Sequence, residues 1–141
     1  MEPKAMPPIG YLLNRTDAAL TRVMDGTLGE FDLTRVAWQV LNMVKKEAGI
    51  TDAEVLKILS FNADAPTLTA AIETTLTGGW TSRPAPGQLA LTPDGTARLA
   101  EVADHVKAFR TRSVDGITPE EYGTAVRVLE RMIENLRGPG A

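Results

Sequence analysis

Apolar side chains recur every three or four residues along most of this chain, and the polar positions between them mark out a series of helices. Ile9, Leu12, Leu13, Leu20, Val23, Met24 and Leu28 form one stripe, with Arg15, Asp17, Arg22 and Asp25 between them. That spacing predicts a long amphipathic helix beginning just after Pro7 and Pro8. The FDLT segment interrupts it. Thr34 or Asp32 then stands where a cap is needed for a second helix, whose stripe is Val36, Ala37, Val40, Leu41 and Val44, ending at Gly49. Thr51 followed by Glu54 has the spacing of a capping box, and Val55, Ile58 and Leu59 give a short third helix its inward face.

A turn at residues 61–64 precedes Pro66, which opens a fourth helix with Leu68, Ala71, Ile72 and Leu76 inward and threonines on its other face, closed by Gly78 and Gly79. Residues 81–92 hold PAPG between two short extended runs, the pattern of a small hairpin. Pro93, Asp94 and Gly95 lead into a fifth helix carrying Leu99, Val102, Ala103, Val106 and Phe109 and ending near Ser113. Thr118 caps a sixth, with Glu120 and Glu121 at its positive end and a stripe from Tyr122 through Ala125, Val126, Leu129, Met132 and Ile133 to Leu136.

A short helix, a turn, a second helix and a two-stranded hairpin together make a winged helix-turn-helix, here residues 33–95. The helices of residues 1–30 and 96–141 have no partner inside that unit, so their stripes are buried most economically against a second copy of the chain. The expectation is a mainly α, single-domain chain over residues 1–141, with a small two-stranded wing and terminal dimerisation helices.

Composition narrows the chemistry. The 141 residues contain no cysteine and one histidine, which leaves no thiolate metal site, no cysteine nucleophile and a poor basis for a Ser-His triad. No catalytic residue, metal or cofactor is expected, and the protein reads as a non-enzyme. The apolar runs are too short for a bilayer span, and MEPKAMPPIG lacks the layout of a signal peptide, so a cytoplasmic protein without membrane partners is expected. The net charge of −3 lies entirely in residues 50–95, where Lys57 and Arg83 face Asp52, Glu54, Asp64, Glu73 and Asp94; the flanking parts are neutral.

The pieces IGYLLNR, LTRVAWQVLNMV, ITDAEVLKIL, TLTAAIETTL, GGWTSR, LALTPDG and ITPEEYGTAVRVLERMIENL, in this order and spacing, resemble the MarR family of winged-helix regulators from Ile9 to Leu136. The resemblance implies a homodimer that binds pseudo-palindromic double-stranded DNA, with the fourth helix in the major groove and the wing beside the minor groove. It also implies release by small aromatic or apolar ligands, the behaviour of a repressor. The chain departs from the family at the DNA-holding elements. Its wing tip is short, residues 84–88, Arg83 is the sole wing cation, and the fourth helix shows Thr67, Thr69, Glu73, Thr74 and Thr75 with no positive side chain. Because phosphate neutralisation supplies most non-specific affinity, DNA binding is weakened by this acidic segment. The alternative is a degenerate MarR-like dimer that has left DNA and serves as a small-molecule or partner-binding module.

The candidate DNA contacts are Thr67, Thr69, Thr74, Arg83 and Lys57, the threonines reaching phosphates or thymine methyls and the cations phosphates. Glu73 has the chemistry to accept from a cytosine amino group, but an acid on a helix surface is ordinarily just solvated. The candidate ligand residues, on helices that line the family's pocket, are Tyr11, Arg15, Trp38, Met43 and His105. Trp38 and Met43 also fit plain core packing, and His105 fits a partly exposed helix position. Tyr11 and Arg15 stand one turn apart, able to converge on an anion, although pairing of Arg15 with Asp17 or with a carboxylate of a dimer mate is the favoured reading. Trp80 reads as the side chain that packs the wing.

Overall fold

A computed structural model describes residues 6–138. The chain divides into two compact units, one running to Lys107 and one beginning at Ala108. The first holds α1 (Ile9–Gly29), α2 (Arg35–Lys46), β1 (Ile50–Thr51), α3 (Asp52–Ile58), α4 (Ala65–Thr77), β2 (Thr81–Ser82) and β3 (Gln88–Leu91). Helix α5 (Pro93–Ser113) carries the chain into the second, which ends in α6 (Pro119–Arg137). The elements form where the apolar spacing places them, and local polar groups close their ends. Thr34 Oγ1 accepts from the Ala37 N–H at 3.1 Å, and Thr51 with Glu54 and Thr118 with Glu121 make complete capping boxes. Asp32 adopts a left-handed backbone, φ 57°, in the turn between α1 and α2.

The core of the first unit centres on α2 and α4. Ala37, Val40, Leu41 and Val44 are buried on one, and Leu68, Ala71 and Ile72 on the other, with Leu28, Val55, Leu89 and Val102 closing around them. Fully burying each of the larger of these side chains contributes on the order of 2 kcal/mol, so this seam fixes how α4 is presented.

Three features differ from the sequence expectation. The wing has a third strand: β1 pairs antiparallel with β3, Ile50 opposite Leu89 and Thr51 opposite Gln88, while β2 pairs on the other side, Thr81 opposite Leu91. The strand order is β1-β3-β2, and the two residues of β1 are too few to carry an alternating pattern. Helix α4 starts at Ala65 rather than Pro66, because Asp64 caps it. Thr75, grouped with the outward threonines, is fully buried: its hydroxyl donates to the Ile72 carbonyl and shares a hydrogen bond with Thr81 at 3.0 Å.

The terminal stripes remain open. Met24 and Leu28 are buried, but Ile9, Leu12, Leu13 and Leu20 on α1 are exposed; on α6, Tyr122, Val126, Ile133 and Leu136 are exposed as well. Among the described residues no helix is long and apolar enough to cross a membrane.

Candidate nucleic-acid interface

Helix α4 is held from beneath and open above. Its inward residues pack on α2, while Thr67, Thr69, Ala70, Glu73, Thr74 and Thr77 recur at helical spacing along the exposed side. Asp64 fixes the start: its carboxylate accepts from the Thr67 N–H at 2.8 Å, and hydrogen bonds from the Thr67 hydroxyl and amide hold the carboxyl below its usual 3.8. The Thr74 hydroxyl is turned into the helix, donating to the Ala70 carbonyl at 2.9 Å.

Of the two cations in this region, Lys57 is exposed in the last turn of α3, and among the described residues no acid lies within ion-pair distance of it. Arg83 is engaged. Its guanidinium donates to both carboxylate oxygens of Asp52, at 2.9 and 3.0 Å, and also to the Gln88 carbonyl at 3.4 Å. The Asp52 hydrogen bonds raise the Arg83 pKa, and the fields of Asp52 and Glu73 add to the rise. The pair is about one-third exposed on each side. A pair this accessible is worth about 1 kcal/mol or less to the fold, and its consequence is that the guanidinium is already engaged. Asp52 is the partner of Arg83 that the sequence reading missed. The pairing depends on β1 lying beside β3, which brings together side chains 31 residues apart.

Side-chain contacts brace the base of the wing. Trp80 is buried, the Arg98 guanidinium lies 3.9 Å from its ring centroid and donates to the Gly78 carbonyl, and Thr92 donates to the Gly79 carbonyl at 2.6 Å. Trp80 therefore does what the sequence assigned to it. At Gly95 an added Cβ would lie 2.0 Å from the Trp80 carbonyl oxygen, so only glycine lets α5 start against the wing.

The candidate ligand residues occupy α1, α2 and α5. Tyr11 and Arg15 do meet: Arg15 donates to the Tyr11 hydroxyl at 3.3 Å, with its guanidinium 5.8 Å from the ring centroid, rather than pairing with Asp17. Trp38 and Met43 are half-buried on α2. His105 is exposed; it meets Phe31 edge-on at 5.2 Å, and its Nδ1 lies 3.9 Å from Glu30. Sequence reading passed over Gln39, one turn before Met43. Its Oε1 is the one buried side-chain polar atom among the described residues without a hydrogen-bond partner. Among the described residues no group of three or more His, Asp or Glu is placed to hold a metal ion.

No family model matches the chain, and no curated protein matches it. Solved structures do. A mutant MarR from E. coli complexed with operator DNA is 25% identical, with 89% of this chain and 93% of that one covered at a TM-score of 0.69. A Mycobacterium tuberculosis MarR family protein in complex with DNA is also 25% identical, covering 94% of this chain and 100% of that one, TM-score 0.69. Bordetella bronchiseptica BpsR, whose DNA binding is regulated by 6-hydroxynicotinic acid, is 22% identical with coverages of 93% and 97% and a TM-score of 0.67.

Proposed function

We propose, on the premise of a MarR-family winged-helix fold, that this chain is a DNA-binding transcriptional repressor that works as a homodimer and is released by a small aromatic or apolar ligand. The observation that carries the reading is the presentation of α4. A rigid core holds its inward face and a braced wing stands beside it, while Thr67, Thr69 and Thr74 lie along the open side. Two such helices, spaced by a two-fold axis at about 34 Å, would enter successive major grooves. The exposed apolar stripes on α1 and α6 favour the dimer, since their burial would supply an interface in the obligate class, above about 2,000 Å².

The regulation of BpsR by 6-hydroxynicotinic acid supports the ligand half of the reading. In this chain Tyr11 and Arg15 offer a hydroxyl and a cation, Trp38 and Met43 an apolar wall, and His105 a titratable group. Gln39 offers an acceptor that a ligand donor would satisfy, relieving a cost of about 1–3 kcal/mol. The ligand would then bind more tightly to one separation of the two α4 helices than to another, which is what displaces DNA.

The pairing of Arg83 with Asp52, on a face whose α4 carries no cation, favours the second reading, a MarR-like dimer that has left DNA for a small molecule or a protein partner. Light scattering coupled to gel filtration separates the two, run with and without the DNA flanking the protein's own gene. The repressor reading expects twice the 15.2 kDa chain mass alone and that mass plus one duplex with DNA at low salt. A monomer overturns the dimer, and a dimer that never shifts with DNA hands the function to the second reading.

A further inference from the structure

The exposed side of α4 has a chemical bias beyond its lack of charge. It contains no Arg, Lys, Asn or Gln, the side chains that make the usual two-point contacts to guanine or adenine in the major groove. Besides the hydroxyls of Thr67, Thr69 and Thr77, it offers methyl groups and one carboxylate. Ala70 contributes a methyl, and Thr74, with its hydroxyl bonded back to the Ala70 carbonyl, presents its own methyl as its remaining outward chemistry. Glu73 lies between them in sequence and is exposed, with no hydrogen bond or ion pair to any described residue.

We propose that α4 reads pyrimidines, its methyl groups at Ala70 and Thr74 selecting thymine and the Glu73 carboxylate selecting the amino group of cytosine. The inference rests on the DNA-binding reading above and specifies its base chemistry. A carboxylate only accepts hydrogen bonds. Guanine turns two acceptors, O6 and N7, into the major groove and repels it; adenine offers one donor with the N7 acceptor beside it; cytosine offers the N4 donor alone. The thymine C5 methyl is the one apolar group in that groove, and alanine or threonine methyls are its ordinary partners. Placing a carboxylate near phosphates is costly in itself.

The test is selection from a pool of random duplexes at low salt, with wild type, Glu73→Gln and Glu73→Ala. Wild type should enrich cytosine at one position of each half-site by about tenfold or more; Glu73→Gln should move that position to adenine, the base that glutamine contacts through N6 and N7, and Glu73→Ala should leave it unselected. A second measurement leaves the protein unaltered. Replacing the selected thymines by deoxyuracil removes only the C5 methyl, and each loss should weaken wild-type binding about fourfold, the value of one buried methyl. If all three proteins enrich one sequence and the variants merely bind more tightly, Glu73 is a solvated acid and its assignment falls. Indifference to deoxyuracil removes the methyl reading. Failure of any duplex to be enriched overturns DNA binding itself, an outcome distinct from the other two.

Discussion

Gly95 shows how a residue can be legible in kind but not in cause. The run Pro93, Asp94, Gly95 reads in sequence as a turn and a helix start, and that is where α5 begins. What demands glycine is the Trp80 carbonyl at the place a Cβ would take, a contact across 15 residues that no local pattern encodes. Gly95→Ala must therefore shift β2 or α5, and overpacking against backbone costs about 3 kcal/mol. The expected result is a thermal midpoint lowered by several degrees; an unchanged midpoint would mean that the wing and helix separate freely. Arg83 was equally visible as the lone wing cation, but its partner was not. Asp52 reads from sequence as an acid in the first turn of a helix, and only the β1–β3 pairing makes it the holder of the guanidinium.

The helices were legible because each has a period and a stop signal of its own. Thr34, Thr51 and Thr118 cap as their spacing foretold, whereas β1, two residues without alternation, was invisible and changed the wing from two strands to three. Asp64 lay in the sequence as part of a turn and proves to be the cap of α4. Its folded carboxyl titrates below the usual 3.8, so the stabilisation it gives is complete above that value and is lost as the pH falls through the lowered one. Glu54, held below 4.5 chiefly by the Thr51 amide, adds a loss of the same sign. Asparagine caps about as well as aspartate but does not titrate in this range. Asp64→Asn should keep the neutral-pH thermal midpoint and lose less of it on acidification from about pH 5 to pH 3. Identical acid profiles for the two proteins would show that the Asp64 cap contributes nothing to the fold.

At the scale of the molecule, the helical stripes on α1 and α6 were read correctly as patterns, but which of their residues would be buried was not decidable from a single chain. Ile9, Leu12, Leu13 and Leu20 stay exposed on α1, and their spacing is the same as that of the buried residues of α2. The same holds for charge. The deficit in residues 50–95 was countable, yet counting weighs Lys57 and Arg83 equally; with one phosphate for each, two per protomer, the slope of log K against log salt in a dimer would be about −3.6, at about −0.9 per phosphate. With Arg83 bound to Asp52, Lys57 is the one of these two left to release counterions, and their slope becomes about −1.8. As proposed, this chain binds DNA through α4 with half of the cationic grip of residues 50–95 withheld. Fluorescence anisotropy of the DNA flanking its gene, across a salt series, measures that grip for wild type and for Asp52→Asn, which frees Arg83. The account predicts binding by both, with the slope steepening from about −1.8 to about −3.6 in the variant. Equal slopes, or no binding by either protein at the lowest salt, would contradict it.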